Sequence, residues 1–569
     1  MVNLRSAIQK DIEAGILAAR EASKLTIGDD APIVVVKRTE NMEHGHYASS
    51  IALRLAPLAQ GKVSPLEIAD IIATHMPKRE YLEKIEVAAP GFLNITVSRE
   101  YLASRLDDLP REDLCSACNV GEGKSINMEF ISANPTGPLT LGNARPAFSA
   151  DTLANVLTCA GYNVTREYYI NDGGEQIGRL GESVLRRILQ QEGHSIDFPE
   201  DLYQGEYIME MGKIIAERYR EEDGKICTVA DLDNEQLRSA LSREAMQMCL
   251  GAIKKTISED LKISFDVWSS EQAVKDSGEI EKVLTRLREK NLMYVKDGAE
   301  FLKTTEFGDD QDRVMVKKNG AYAYIAPDVA YHQNKFDREF DLIFTFMGAD
   351  HQGHAPKLTS ALKALGNDTE KLRMMIVQFL AVTRGGTTVS LSKRKGNIYS
   401  LKDLIEEIGY DAARYFLVSH ALSSHMTLDL DIAKEKSERN PVYYVQYAYV
   451  RLQSIIRKAK VQGILPPGDL PAELTSQVVI DNEAETALAL ELFRFPEVME
   501  DIATSFAVHQ LPVYAYDISR AITTFYHEAP IMSETDPVLQ KSRLQIAIAA
   551  HNVLGRVLDL LGISKPDIM

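Results

Sequence analysis

Hydrophobic positions change their period twice along the chain, and the changes mark out three regions. From Met1 to Leu25, apolar residues recur at helical spacing among Lys, Arg, Glu and Asp, which predicts an amphipathic helix and not a cleaved leader. The run Ile33-Val34-Val35-Val36 is strand-like, and Tyr47 to Ala59 reads as helix. Ser64-Pro65 offers a capping hydroxyl followed by a proline suited to a first helical turn. Alternation at Ile85-Glu86-Val87, a turn at Pro90-Gly91 and the run Phe92 to Val97 predict a strand pair. Residues 1–112 therefore read as a small α+β domain, with the charged, aperiodic stretch Arg111 to Lys124 as a linker.

Between residues 120 and 400, strand and helix patterns alternate. Ile126 to Ile131 is a strand, Ser132 to Asn143 a Pro/Gly/Asn/Thr loop, the stretch to Ala160 a helix and Val164 to Ile170 a second strand. That is a βαβ unit whose loop sits at the carboxyl end of its first strand, where open α/β sheets take their ligands. Tyr322 to Ile325, Asp341 to Phe346 and Met374 to Leu380 are further strands, and a helical insertion covers about 184–285. From 401 to 569 the strand signal nearly vanishes. Helical periods over Val442–Ala459, Glu485–Phe506, Val513–Tyr526 and Leu539–Leu561 predict a bundle. The expected fold is multidomain α/β: a Rossmann-type parallel-sheet domain between a small α+β domain and an all-α bundle.

Composition adds constraints. At 45% hydrophobic and 26% charged, without low-complexity tracts, the chain is globular, and no run approaches the roughly 20 apolar residues of a membrane span. Five scattered cysteines fit a reducing compartment; Cys115 and Cys118 form a CxxC with no second pair to complete a zinc site, and read as free thiols in the linker. The net charge of −18 opposes long-range attraction to a polyanion, yet binding depends on where cations sit. Local basic clusters exist at Lys317-Lys318, Lys393-Arg394-Lys395, and Arg451 with Arg457-Lys458-Ala459-Lys460.

Chemistry concentrates in three places. Ser132 to Arg145 (S-A-N-P-T-G-P-L-T-L-G-N-A-R) is a rigid loop feeding a helix N-terminus, where free N–H groups and the helix dipole attract phosphate. Gly142 allows close approach of a nucleotide, and Thr140 and Asn143 supply neutral polar groups; a capped turn without a ligand is the plainer reading. Val389 to Asn397 (V-S-L-S-K-R-K-G-N) is a basic loop suited to neutralising charge on a leaving pyrophosphate, or simply a basic surface loop. Glu129, Asn134, and the pair Tyr324 and Asp328, four apart, supply the carboxylate and amide groups that a planar, permanently charged guanidinium requires. Each taken singly is more often a cap or a surface acid.

Together these segments resemble the arginyl-tRNA synthetases, class I aminoacyl-tRNA synthetases. The first loop is similar to the family's S-A-N-P-T-G-P-L-H-V-G-H signature, with Thr140 and Asn143 at the two histidine positions, much as tryptophanyl enzymes carry Thr-Ile-Gly-Asn. The basic loop resembles the second signature, K-M-S-K-S, with Lys393 on its second lysine and Ser390 on its first. Phe346 to His354 (F-M-G-A-D-H-Q-G-H) resembles W-G-A-D-H-H-G-Y, and Tyr168 to Gln176 matches Y-Y-x-N-D-x-G-x-Q. Asn440 to Ala448 (N-P-V-Y-Y-V-Q-Y-A) is similar to the family's anticodon-domain signature, and His46 to Ser49 with Val87 to Asn94 to its N-terminal domain, which touches the tRNA elbow.

The resemblance implies ATP-dependent activation of L-arginine and its transfer to tRNA(Arg), with Mg²⁺, in the cytoplasm, by a monomer that needs bound tRNA for efficient activation. It implies ATP contacts from Pro138, Thr140, Gly142, Asn143, Gly348, Asp350, His351, Leu391, Ser392 and Lys393, of which Thr140, Asn143 and Lys393 are the catalytic candidates. Arginine would meet Glu129, Ser132, Asn134, Tyr324, Asp328 and Gln352, and tRNA would meet Tyr443, Gln446, Tyr447 and Arg451, whose aromatic and basic groups suit stacking on unpaired bases. No residue is assigned to a resident metal. Two other readings remain: another class I synthetase, opposed by the N-terminal domain and the lack of zinc spacing, and a tRNA-binding relative without catalysis, suggested by Thr140 and Asn143.

Overall fold

The computed structural model describes residues 2–28, 31–61, 63–106, 109, 113–223, 227–389, 399–466, 468 and 478–569. The N-terminal unit runs α1 (Leu4–Glu21), β1 (Val36–Arg38), β2 (Tyr47–Ser49), α2 (Ile51–Leu55), α3 (Pro65–His75), β3 (Leu82–Ala88), β4 (Phe92–Val97) and α4 (Arg99–Leu106). Its antiparallel sheet has the order β1-β2-β4-β3. Helix α1 buries Leu4, Ile8, Ile12 and Ile16, one per turn, as its amphipathic pattern requires. Helix α3 starts on a capping box in which Ser64 Oγ accepts the Glu67 N–H at 3.2 Å and Glu67 Oε2 accepts the Ser64 N–H at 2.7 Å. Two expectations shift. The apolar run from Ile33 becomes a strand only at Val36, since Ile33 is 75% exposed. The stretch from Tyr47 opens as strand, because Tyr47 to Ser49 find backbone partners on both β1 and β4.

The central unit continues with β5 (Ser125–Glu129), α5 (Leu141–Cys159), β6 (Asn163–Ile170), α6 (Glu175–Gln191), α7 (Glu206–Asp223), α8 (Glu235–Lys255) and β7 (Val267–Ser270). Helices α9 (Glu271–Asp276) and α10 (Glu279–Glu289) lead to a small sheet of β8 (Met293–Lys296), β9 (Ala299–Leu302) and β10 (Arg313–Val316), and then to α11 (Ile325–Asp337). Then follow β11 (Leu342–Gly348), α12 (Ala355–Leu365), β12 (Leu372–Val377), β13 (Leu380–Arg384), β14 (Thr387–Thr388), α13 (Leu401–Ile408), α14 (Tyr410–Val418), β15 (Met426–Asp429) and α15 (Leu430–Lys434). The main sheet, β12-β11-β5-β6-β7, is parallel throughout. Its strand β5 is buried on both faces, as a central parallel strand must be.

The helical insertion begins at Glu175 and closes before β7, which returns to the main sheet inside the stretch read as insertion. Tyr322 to Ile325 is not a strand: Tyr322 makes a single bridge to Val316, and the chain turns at Tyr324 into α11. Residues past 400 also differ from the all-helical reading, because β15 pairs in parallel with β13. Arg145 of α5, 1% exposed, holds this junction by donating to the carbonyls of Gln378 (3.1 Å), Ser424 (2.7 Å) and Ala421 (2.5 Å).

The bundle consists of α16 (Pro441–Val461), α17 (Glu483–Phe493), α18 (Phe495–Ser505), α19 (Gln510–Glu528) and α20 (Pro537–Leu561). The single helix expected over Glu485–Phe506 is broken at Arg494, since Pro496 fits only a first turn. Helix α20 is long and apolar enough to cross a membrane by length and composition, contrary to the expectation of no such run, but its apolar window is 78% buried inside the protein. The N-terminal unit docks on this bundle: Arg5 bonds Asp501 (2.7 Å) and Glu500 (3.1 Å), and Tyr47 Oη donates to Glu497 (2.7 Å).

The reading of Cys115 as a free thiol is corrected. It is disulfide-bonded to Cys159 at the end of α5, with Cα atoms 4.8 Å apart across a sequence separation of 44 that local spacing does not reveal. Cysteine usage therefore no longer points to a compartment. Cys118, Cys227 and Cys249 are free and buried.

Candidate active site

The site is built where β5 ends. After Glu129 the chain passes through Ile131 and Ser132 with φ of +66° and +40°, a region that a β-branched residue rarely adopts. Side-chain bonds hold the turn: Ser132 Oγ donates to Glu129 Oε1 (3.0 Å) and accepts the Tyr169 N–H (3.1 Å) from β6. Beyond it, Tyr168 Oη donates to the Ala133 carbonyl (2.9 Å) and Tyr207 Oη of α7 to the Thr136 carbonyl (2.7 Å). The loop is thus pinned from the main sheet and from the helical insertion before it enters α5.

At the start of α5, Asn143 Oδ1 accepts both the Thr140 N–H (3.0 Å) and the Thr140 hydroxyl (3.1 Å). The Thr140 proton is therefore directed at Asn143 and not at a ligand, so that the Asn143 amide NH₂ and the helix N–H groups remain to face an anion. A Cβ built on Gly142 would have Thr140 Oγ1, at 3.6 Å, as its nearest neighbour, so the glycine leaves open room that packing does not require. Ser400 bridges to Thr140, and the Leu401 N–H donates to the Leu139 carbonyl (3.1 Å). The chain leaving the basic loop therefore returns to the first loop. Leu391, Ser392 and Lys393 lie outside the described residues.

These elements surround a cleft of 1420 Å³. Glu129, Ser132, Asn134, Pro138, Thr140, Gly142, Asn143, Tyr324, Asp328, Gly348, Asp350 and His351 all line it. Gln352 is exposed and does not. Beneath the cleft, Glu129 joins a group of charges, Lys335, Glu167 and Arg338, that the sequence pattern did not single out. Lys335 of α11, fully buried, donates to Glu129 Oε2 at 2.5 Å and lies 4.4 Å from the Tyr331 ring. Glu167 accepts from Asn127 (2.6 Å), Ser269 (2.6 Å), Tyr331 Oη (2.9 Å) and Arg338 (2.7 Å). Burial pushes the Glu167 carboxyl up, but Lys335, Ser269 and Arg338 override it and hold its pKa below the ordinary value. Burial, reinforced by Lys335, keeps His332 neutral; its ring bonds the Asp328 carbonyl (2.9 Å) and Thr345 Oγ1 (3.0 Å).

Two carboxylates, Glu129 and Glu167, thus face two cations, Lys335 and Arg338, and the floor is balanced. Asp328, at the cleft wall, takes no part in that balance. Its Oδ2 lies 2.9 Å from His354 Nε2, off the line of a hydrogen bond, an ion pair only when the ring is protonated. Lys335 was legible in principle: Asp328, Tyr331, His332 and Lys335 fall at 0, +3, +4 and +7, one helical face. Tyr207 carried no such signal, because it arrives from an insertion 71 residues away from its partner.

On the bundle, Tyr443 and Tyr447 stack at 6.1 Å, and the Arg451 guanidinium lies over the rings of Tyr447 (4.7 Å) and Tyr526 (4.4 Å). Tyr447 and Tyr526 are 37% and 41% exposed, so the face is open to a partner. Gln446 is not part of it. It is buried, with its amide donating to Asp411 (2.8 Å) and to the Ser564 carbonyl (3.0 Å).

Family models match all three units: "Arginyl tRNA synthetase N terminal domain" over residues 3–97, "tRNA synthetases class I (R), catalytic domain" over 109–426 and "DALR anticodon binding domain" over 445–569. The chain belongs to the arginyl-tRNA synthetase family. The arginine–tRNA ligase of Carboxydothermus hydrogenoformans is 38% identical over 97% of both chains, and that of Bacillus subtilis 37% identical over 100% of this chain and 99% of its own. The fold is also that of the Thermus thermophilus arginyl-tRNA synthetase (TM-score 0.74, 20% identity, all of both chains) and the Plasmodium falciparum one (TM-score 0.73, 18% identity, all of both chains). The family's catalytic model runs to residue 426, where β15 begins.

Proposed function

We propose that the chain activates L-arginine with ATP and transfers the arginyl group to tRNA(Arg). The observation that carries this reading is Asp328, a carboxylate left over when the charges beneath the cleft are balanced, in the same cleft as the open N-terminus of α5. A guanidinium needs such a partner, and a triphosphate needs such a helix end. Asp328 and Tyr324 hold the guanidinium, while Ser132 and Asn134 face the amino-acid end. The α5 N–H groups, Asn143 and Gly142 receive the phosphates, and Gly348, Asp350 and His351 receive the adenosine.

The arginine carboxylate attacks the α-phosphorus, pyrophosphate leaves, and the terminal ribose hydroxyl of tRNA then displaces AMP from the adenylate. No protein nucleophile is required; positioning and charge neutralisation supply the acceleration. By the resemblance of their loop to the family's second signature, Lys393 neutralises the departing pyrophosphate and Leu391 and Ser392 contribute to ATP binding. Mg²⁺ would enter on the ATP phosphates and add its charge there. Tyr443, Tyr447 and Arg451 stack on unpaired tRNA bases. Family membership supports a cytoplasmic monomer. Pyrophosphate exchange with arginine, ATP and tRNA(Arg) tests the reading: exchange that requires arginine is expected, and tRNA binding without exchange would favour a relative that has lost catalysis. Asp328→Asn should raise the arginine KM by roughly 30-fold or more, about 2–5 kcal/mol for a buried charged partner.

A further inference from the structure

We infer that Phe379 and His425 form a stacking platform, at the edge of the cleft, for the unpaired base at the 3′ end of tRNA. This rests on the transfer of arginine to tRNA, in which the terminal ribose hydroxyl reaches the adenylate. The base on that ribose is one glycosidic bond away, so it must find a surface at the cleft itself.

Among the described Phe, Tyr and Trp residues that line the cleft, two are exposed: Tyr324 at 73% and Phe379 at 60%. Tyr324 stands at the start of α11, where it is assigned to arginine. Phe379 stands elsewhere. It follows β12, the edge strand of the main sheet, one strand outside the β11 end assigned to the adenosine and two outside β5 and the first loop. His425, also exposed, comes from the segment just before β15. The two rings are nearly parallel, with 18° between their planes and centroids 6.4 Å apart, so neither closes off the other's face.

The backbone fixes both rings from one point. Arg145 donates to the carbonyls of Gln378 and Ser424, which belong to the peptides directly preceding Phe379 and His425. The Met426 N–H donates to the Phe379 carbonyl at 3.3 Å, and the Gln378 N–H to the Leu422 carbonyl at 2.9 Å. A guanidinium that is 1% exposed is costly to bury, and here the cost is offset by carbonyls from the two segments that carry the rings. Arg145 lies two residues after Asn143 on α5, so the platform is held in register with the helix end that faces phosphate. Unpaired RNA bases are held by stacking on aromatic and imidazole rings of this kind.

The test compares binding of the full-length protein to tRNA(Arg) and to the same tRNA with an abasic ribose at its 3′ terminus, which keeps the hydroxyls and removes the base. The wild type should bind the abasic tRNA about tenfold more weakly, the scale of one stacked base. Phe379→Ala should bind intact tRNA about tenfold more weakly and abasic tRNA with wild-type affinity, so that the difference disappears. Phe379→Trp, which keeps a ring, should behave as the wild type, and His425→Ala should narrow the difference. The ATP KM should stay at the wild-type value in all three. Equal affinity of the wild type for the two tRNAs overturns the inference, as does a Phe379→Ala variant that keeps the full difference. A raised ATP KM in Phe379→Ala with unchanged tRNA affinity gives the rings to the adenine of ATP and also overturns it. If the wild type does not prefer tRNA(Arg) to a tRNA of another specificity, transfer to tRNA(Arg) itself falls, and the platform with it.

Discussion

At the scale of single residues, Thr140 and Asn143 stand where the family signature that the first loop resembles has histidines, and these two positions make a sharp test. Their side chains bond to each other, leaving one amide to meet phosphate, and neither can carry charge. Replacing both with His should change the activation rate by about tenfold or less, since a charge-assisted bond exceeds a neutral one by about 1–1.5 kcal/mol. At saturating arginine, the wild-type rate should show no titration near pH 6–7 from this loop. A larger change would mean the histidines do more than donate. Lys335 makes the complementary case for stability. Lys335→Met would leave Glu129 buried without its partner, at a cost of about 3–5 kcal/mol, which urea unfolding would register. An unchanged midpoint would show that the carboxyl is readily neutralised. Glu129 and Asp328 were expected at the pocket because their chemistry matches a guanidinium, and both line the cleft. What the sequence did not disclose is which carboxylate is already balanced, since Lys335 and Glu129 lie 206 residues apart and meet only across the sheet.

At the scale of elements, pattern was informative where a segment buries one face and misleading where neighbours supply the pairing. Helices α1, α3, α16 and α20 follow from apolar period and caps. Strands β2 and β15 do not: each is three or four residues long and exists because β1, β4 or β13 offers it backbone partners. The junction around β13 and β15 has a pH dependence of its own. Burial alone would raise the Glu407 pKa, but hydrogen bonds from Lys434 (2.7 Å) of α15, Tyr399 (2.5 Å) and Arg384 (2.7 Å) of β13 override it and hold it at about 2. A depressed carboxyl contributes stability above its ordinary pKa of 4.5 and loses it as pH falls toward 2. Glu407→Gln should therefore be less stable than wild type at pH 7, and the gap should close as the two are unfolded in urea at successively lower pH. A gap constant from pH 7 to pH 3 would contradict the assignment. The first loop gives another element-level test. A Cβ on Gly137 would stand 2.8 Å from Tyr207 Oη, so Gly137→Ala should push that hydroxyl off the Thr136 carbonyl and raise the ATP KM several-fold, while Gly137→Ala with Tyr207→Phe should recover part of the loss.

At the scale of the molecule, the three units form one connected body: the N-terminal unit rests on the bundle through Arg5 and Tyr47, and the catalytic unit through α5, α14 and the Cys115–Cys159 link beside Arg556 of α20. Truncation is consequently a poor way to find the tRNA-reading surface. A chain ending near Ser400 would lose charging, but it would also lose β15 from its sheet and the Ala421 and Ser424 carbonyls that hold Arg145, so that loss would not isolate recognition. Point changes on the open face do. The net charge of −18 disfavours long-range attraction to a polyanion, so affinity must come from local contacts, and the stacked rings of Tyr443 and Tyr447 with Arg451 between Tyr447 and Tyr526 offer the surface that unpaired bases require. Each stacked base is worth about 1–3 kcal/mol, so Tyr447→Ala should raise the KM for tRNA(Arg) by roughly 5- to 150-fold, and Arg451→Ala should do likewise by removing the cation and unsettling both rings. Arginine affinity should stay at the wild-type value in both variants, because the cleft is built from other elements. Gln446→Ala is the contrasting case: its side chain joins α16 to Asp411 and Ser564 inside the protein, so it should lower the unfolding midpoint more than it alters the tRNA KM at temperatures where it stays folded. An unchanged tRNA KM in both Tyr447→Ala and Arg451→Ala would move the reading surface away from α16.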